Sequence, residues 1–345
     1  MRAAVFEQPG QPLTIESVPE PVCGPHELIL EVRQCGICGT DLHASQGGAM
    51  QPPPGTIFGH EFSGEVVEVG RGLASDWKIG DAAVSLPMIG CGACVYCEAG
   101  NPFFCPTVHK TGVGQGVQGA YAQLVRVGVN ETVRIPRGVD WEFGALVEPL
   151  AVALHGLNVS RFKAGDDVLV IGAGPVGIAL IQWLRLSGAR NIVVTEISDH
   201  RAEMAERFGA SCVLDGRCHP KEIARQFEAC AGSKPGNIFE CAGMPGLIEN
   251  CFLMAGPHAE IVSLGVCDRK DHFQPFIGTM KEVTLKFAVA YLRSEFEQTL
   301  ERLESGALNP APMITQRVDF DNLSSTFETL KSSKEDCKVL LCPNC

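Results

Sequence analysis

Two textures of hydrophobic and polar positions divide the chain. Up to about residue 150, apolar residues alternate with polar ones over short runs, at 28–33 and 64–69, and glycine and proline cut the runs apart, as at 51–55. A period of two puts one face of a strand in a core and the other in water, so this part reads as a set of short strands. From about residue 162 the period changes. Residues 167–171 form a compact apolar strand, 175–187 a helix, 191–195 a second strand and 200–208 a second helix. Such alternation predicts parallel βαβ units wound into one α/β sheet. Further on, 296–305 reads as an amphipathic helix and 337–341 as a last short strand. The long uncharged apolar stretch 168–184 holds three glycines, a proline and a glutamine between Asp167 and Arg185. That suits a strand, turn and helix rather than a membrane span of ~20 apolar residues.

Composition narrows the class. At 345 residues the chain is long enough for two domains, and 45% apolar with 20% charged residues is a folded composition rather than a disordered one. The net charge of −12 argues against a nucleic-acid or anionic membrane surface, which needs clustered Lys and Arg. Residues 1–10 carry neither the basic start nor the apolar run of a secretory signal, so a reducing, cytoplasmic setting is expected. In that setting the 16 cysteines call for metal ligation, nucleophilic chemistry or simple burial rather than disulfides.

Four of them explain themselves by spacing. Cys91, Cys94, Cys97 and Cys105 follow the pattern C-x2-C-x2-C-x7-C. Four thiolates in one short loop can close a tetrahedral zinc shell with no open position, which makes a structural rather than a catalytic site. An iron–sulfur cluster uses similar spacing and is the competing occupant.

A second set is scattered. Cys35-Gly-Ile-Cys-Gly-Thr-Asp-Leu-His43 precedes Gly59-His-Glu-Phe-Ser-Gly64, and Val147-Glu-Pro-Leu150 comes later. Taken together, in this order and with the cysteine loop between them, these segments resemble the zinc-dependent medium-chain dehydrogenase/reductase family, in its sorbitol, butanediol and threonine dehydrogenase-like branch. Gly59, His60, Glu61, Gly64 and Gly70 follow that family's zinc signature, with Leu73 at its final position, and 313–315 and 338–341 extend the similarity to the end of the chain. The resemblance implies a GroES-like, β-rich catalytic domain over 1–155 with a structural zinc lobe at about 90–106. It further implies a Rossmann domain over 156–295 and a segment, 296–345, that returns to the catalytic domain.

The resemblance also assigns roles. Cys38 and His60 would be ligands of a catalytic zinc, and Glu61 and Glu148 are two candidates for the third. One thiolate and one carboxylate leave a neutral shell around Zn2+, whereas both glutamates together would leave it negative. The two are therefore expected to alternate with water during turnover. Asp41 would fix the His60 tautomer, as carboxylates behind ligating histidines do; on its own, Asp41 would equally suit a turn. A zinc ion acidifies a hydroxyl presented to it. Thr40 would take the proton of a secondary alcohol, the cofactor ribose would pass it on, and His43 would deliver it to solvent, a task suited to histidine as a residue type because the free side chain titrates at ~6.5.

The cofactor site is legible without the resemblance. After the strand at 168–171 comes G-x-G-x-x-G, with Gly172, Gly174 and Gly177, opening a helix near Pro175 and Val176. These glycines serve the tight turn, the approach to a pyrophosphate and close helix–strand packing, and the helix N-terminus favours the phosphates. Glu196 lies nineteen residues beyond Gly177, where a carboxylate bonds ribose hydroxyls and selects NAD(H) over NADP. By resemblance, Arg201 lies beside the adenosine, and Gly243 and Gly265 line the nicotinamide half.

The expected activity is NAD-dependent oxidation of a secondary alcohol, diol, polyol or cyclic alcohol to a ketone, with two zinc ions per chain, in a homodimer or homotetramer. Residues 44–55 and 86–89 would border the substrate. A zinc-free quinone or enoyl reductase of the same superfamily would lack Cys38 and the cysteine lobe. A catalytically retired binding protein would have no need of every ligand and relay residue present here. The terminal pair Cys342 and Cys345 falls outside the family pattern and is expected to be a frayed tail.

Overall fold

The computed structural model describes residues 1–72, 76–114, 116–333 and 335–345; Leu73, the last position of the zinc signature, lies outside them. The chain separates into two compact units, Met1–Ala151 with Tyr291–Cys345, and Val152–Ala290.

The first unit is built around one long strand, Glu27–Gly36, of ten residues. Glu61–Val69 runs antiparallel along one edge. The other edge is shared by Leu124–Gly128, which pairs with the start of the long strand, and Lys338–Leu341, which pairs with its end. Ala82–Ser85, Thr132–Arg134 and Ile314–Val318 complete a seven-stranded sheet. The inward face alternates as the sequence pattern requires, with Leu28, Leu30 and Val32 fully buried. They share one core with Phe58 and Phe62 and with Phe320, Leu323, Phe327, Val339 and Leu341 from the last thirty residues. Burial of each such side chain stabilises by ~1.5–3 kcal/mol, so the C-terminal segment is an integral part of this unit.

The second unit carries six strands, all parallel. Their order across the sheet is Cys212–Asp215, Asn191–Glu196, Asp167–Ile171, Asn237–Glu240, Glu260–Ser263 and Thr284–Phe287. Taken in chain order this is 3-2-1-4-5-6, the Rossmann arrangement. Every residue of Asp167–Ile171 is buried, as a central strand covered on both faces must be. The helix Asp199–Phe208 is capped by Ser198 at its start and by Gly209, in the left-handed region, at its end.

Helices read at 175–187, 200–208 and 296–305 form as Pro175–Leu186, Asp199–Phe208 and Arg293–Glu304. Two strands are longer than the alternation suggests. The run read at 28–33 extends to Gly36, and the run read at 64–69 begins at Glu61. The expectation of a frayed C-terminus is wrong. Cys342 and Cys345 are disulfide-bonded, Pro343 is buried, and Asn344 donates to the carbonyls of Val32 (2.9 Å) and Gln123 (3.1 Å).

Candidate active site

Strand register assembles the first constellation. Gly36 faces Glu61 on one neighbouring strand and Leu340 on the other. Cys38 follows two residues later, at the N-cap of the short helix Gly39–Ala44, and His60 immediately precedes Glu61. The ligand atoms of Cys38, His60 and Glu61 thereby lie within 4.8 Å of one another. Gly36 is required here by its lack of a side chain: a Cβ would lie 2.2 Å from Glu61 Oε2. Through that gap the Glu61 carboxylate reaches Lys338, whose Nζ donates to both oxygens, to Oε2 at 2.6 Å. Both partners are 1% exposed.

Behind the histidine stands a second buried chain of contacts. Asp41 Oδ1 lies 3.1 Å from His60 Nδ1, and the Tyr121 hydroxyl donates to Asp41 Oδ2 at 2.7 Å. With Nδ1 facing Asp41, Nε2 is the nitrogen left for a metal. Tyr121 also donates its backbone N–H to Phe58 O, which seats the ring beside Gly59. Burial first, then Asp41, raises the Tyr121 phenol well above its ordinary range, so it stays a proton donor.

Electrostatics point to a cation at this place. Burial disfavours an imidazolium at His60, yet Asp41 and Cys38 outweigh it and raise its pKa well above the ordinary value. The neighbouring Asp41 carboxylate and Cys38 sulfur favour positive charge here, and the Cys, His and carboxylate donors are those of a zinc site. Glu148, on the helix Val147–Asn158, accepts a hydrogen bond from the Tyr291 hydroxyl at 2.8 Å. Burial drives its pKa up to about 7, with His60 opposing and Glu61 adding to the rise. Burial likewise works against the Lys338 ammonium, but Glu61, Cys38 and Glu148 overcome it and the net shift is upward. Lys338 thus places one positive charge against the buried carboxylates of Glu61 and Glu148.

Thr40 and His43 stand three residues apart on the helix Gly39–Ala44, hence on one face. Thr40 is half-buried and His43 exposed, so the pair leads from the Cys38 end of the helix toward water.

The cysteine lobe is local and self-contained. Cys91, Cys94, Cys97 and Cys105 bring their sulfurs within 4.8 Å of one another. The Cys91 N–H donates to Cys105 Sγ (3.3 Å) and the Ala93 N–H to Cys91 Sγ (3.5 Å), the donors that thiolates need. Burial opposes ionisation of Cys105, but the Cys91 and Thr107 amides bring it down to about 6, while burial pushes Cys97 up to about 12. The lobe is tied to the sheet by Gly90 N–H donating to the buried Glu131 carboxylate at 3.1 Å.

In the second unit, Gly172 has φ +92°, and a Cβ on Gly177 would meet Gly172 O at 2.1 Å. Only glycine permits that turn to close on its helix. Gly174 is the N-cap and Pro175 the first residue of the helix Pro175–Leu186, with Val176 half-buried behind it. Glu196 accepts from the N–H groups of Ala173 (2.8 Å), Ile197 (2.7 Å) and Ser198 (3.0 Å), which fixes its carboxylate beside the glycine turn. An Arg201 guanidinium nitrogen comes within 4.0 Å of where a Cβ on Gly174 would sit. Its Nε is buried with no hydrogen-bond partner among the described residues. At the next two strand ends, Gly243 N–H donates to Glu240 Oε1 (2.7 Å) and Gly265 N–H to the Glu240 carbonyl (3.0 Å).

Lys338, Tyr121 and Tyr291 are the site residues to which the sequence assigned no role. Lys338 had a readable signal: one lysine inside an otherwise apolar strand needs a buried carboxylate partner. Tyr121 and Tyr291 had none, because their partners are 80 and 143 residues away.

Residues 24–137 match the alcohol dehydrogenase GroES-like domain and 175–305 the zinc-binding dehydrogenase domain. The chain is 30% identical to (R,R)-butanediol dehydrogenase of Bacillus subtilis, covering 96% of this chain and 97% of that protein. It is also 30% identical to sorbitol dehydrogenase of Ovis aries, over 95% and 92%. The crystal structure of the Bacillus subtilis 2R,3R-butanediol dehydrogenase superposes with a TM-score of 0.88 at 29% identity, over 99% of each chain. Two further neighbours hold nucleotides. A Sinorhizobium meliloti protein assigned to the zinc-binding dehydrogenases is bound to NADP (TM-score 0.86, 29% identity, 99% of each chain). An Escherichia coli alcohol dehydrogenase is complexed with NADH (TM-score 0.89, 27% identity, 99% of each chain).

Proposed function

The chain belongs to the zinc-dependent medium-chain dehydrogenase family, and from that premise we propose that it oxidises a secondary alcohol, diol, polyol or cyclic alcohol to a ketone with NAD+. The reading rests chiefly on the buried Cys38, His60 and Glu61 cluster, backed by Asp41 and Lys338. Cys38, His60 and one of Glu61 or Glu148 would hold a catalytic zinc, and Cys91, Cys94, Cys97 and Cys105 a structural one. When bound, the catalytic ion supplies Lewis acidity toward the substrate oxygen. Around it, Asp41 and Tyr121 orient His60, and Lys338 sets the charge seen by Glu61. Thr40 accepts the hydroxyl proton and His43 exchanges protons with solvent.

Gly172, Gly174 and Gly177 cradle the pyrophosphate, Glu196 takes the adenosine ribose, and the unpartnered Arg201 Nε lies where a phosphate oxygen is welcome. The fixed carboxylate of Glu196 favours NAD over NADP because it repels a 2′-phosphate. The strand Thr284–Phe287 ends the parallel sheet with an open edge and leaves Phe287 72% exposed, which supports assembly into a homodimer or homotetramer. Among the described residues no helix is long and apolar enough to cross a membrane, and a cytoplasmic enzyme is proposed.

The test is reduction of NAD and NADP followed optically with cyclic, acyclic and polyol substrates. Turnover with secondary alcohols and higher kcat/KM for NAD are expected, with Glu196→Ala improving NADP use. No alcohol-dependent reduction by zinc-loaded protein would refute the activity, and equal efficiency with both nucleotides would refute the role of Glu196.

A further inference from the structure

The terminal Cys342-Pro-Asn-Cys345 takes part in neither the zinc sites nor the nucleotide site. Its two cysteines are bonded to each other across three residues of chain. The turn they close is keyed into the first unit. Asn344 Nδ2 donates to Val32 O (2.9 Å) and Gln123 O (3.1 Å), and Gln123 Nε2 donates back to Asn344 Oδ1 (3.1 Å). Gln123 is itself a junction. Its N–H donates to Arg2 O (3.1 Å), its Oε1 accepts from Arg2 N (2.8 Å), and its carbonyl also accepts from Val32 N (2.9 Å). One asparagine therefore links the end of the chain to its first strand, its longest strand and the segment entering Leu124–Gly128.

A cross-link that closes so short a loop removes little entropy from the unfolded chain, so overall stability does not account for it. Its effect is local: it holds the turn that aims Asn344 at Val32 and Gln123. The two residues also differ in exposure: Cys345 is exposed and Cys342 half-buried. An incoming thiolate can reach the first far more readily than the second.

We propose that Cys342 and Cys345 form a thiol–disulfide exchange site for dithiol reductants, and that its redox state decides whether the C-terminal turn stays keyed to Gln123. One thiolate of the dithiol attacks Cys345 Sγ. The Cys342–Cys345 bond breaks, its electron pair goes to Cys342 Sγ, and that sulfur takes up a proton. The second thiol of the reductant then attacks its own sulfur in the mixed disulfide, closing the reductant's disulfide and releasing Cys345, which is protonated. The terminal pair gains two electrons and two protons, and the dithiol is oxidised. Reduction frees the residues that directly follow the strand Lys338–Leu341, whose first residue is the partner of Glu61.

The proposal depends on neither zinc nor nucleotide, and full-length protein prepared without reductant tests it. The C-terminal peptide is expected to resist alkylation and to weigh two hydrogens less than its dithiol form. Titration with dithiothreitol should open it in one two-electron step, exposing two alkylatable thiols. Amide hydrogen exchange at Val32, Gln123 and 339–345 should then rise about tenfold or more, as for a segment released to local opening, with the parallel sheet unchanged. Cys345→Ser should show the fast exchange with and without reductant. Two free thiols at every glutathione ratio, or a metal ion held by the pair, would overturn the exchange site. Unchanged exchange at Gln123 on reduction and in Cys345→Ser would overturn the coupling.

Discussion

The two candidate metal sites are built on opposite plans. The cysteine lobe draws its four donors from fifteen consecutive residues, and backbone N–H groups of the same loop serve its sulfurs. The Cys38 site draws on the end of one strand, the start of another and a helix more than eighty residues on, and its supports range from Gly36 and Asp41 close by to Tyr121 and Lys338 far along the chain. Four sulfurs can satisfy a zinc ion completely and leave no place for a substrate. Cys38, His60 and one carboxylate leave a place, and a second carboxylate waits nearby with Tyr291 on it. An open site has to be held rigid from outside, which is the work of Asp41, Tyr121, Gly36 and Lys338. A closed site holds itself.

Perturbing those outer supports should therefore damage the open site and spare the lobe. The largest effect is expected for Lys338→Met, which leaves the Glu61 charge buried and unpaired. Metal-free protein should lose about 3–5 kcal/mol in urea unfolding, with most of that recovered in Lys338→Met/Glu61→Gln. A loss below 1 kcal/mol would mean that the ion pair is dispensable. Tyr121→Phe keeps the ring and removes the donor to Asp41. Zinc at the Cys38 site should bind about 10–100-fold more weakly, with an altered visible spectrum in cobalt-substituted protein and lobe metal unaffected. Equal weakening at both sites would show a merely structural role for the hydroxyl.

The smallest effect concerns pH. Glu148 in the folded, metal-free protein titrates at about 7, above an unfolded carboxyl, mainly because it is buried. Its protonated form is favoured by folding, so that stability is present below an unfolded value of ~4.5 and lost as pH rises toward 7. Metal-free Glu148→Gln should lack this decline between pH 5 and 7. Parallel stability profiles for the two proteins would contradict the assignment.

The same contrast governs what the sequence revealed. The lobe was legible because its donors are neighbours in the chain, and the glycine turn because Gly172, Gly174 and Gly177 sit between a readable strand and a readable helix. The extents of the two central strands were not. Alternation fades after Arg33 and before Gly64, and the residues that break it, Gly36 and Glu61, are those that the site uses. Chemistry had displaced the apolar pattern from which strands are read. The tail misled for a related reason: Asn344 is held by side-chain bonds to Val32 and Gln123, contacts that no local pattern announces.

Zinc content measured on the intact protein and on Cys38→Ser is the most direct test of the central claim that one chain carries two independent metal sites, only one of them catalytic. Two zinc ions per chain are predicted for the unmutated protein and one for Cys38→Ser. In the variant, alcohol-dependent NAD reduction should fall about 10³-fold or more, because the Lewis acid is gone. The same zinc content in both proteins, or full turnover by Cys38→Ser, would contradict it.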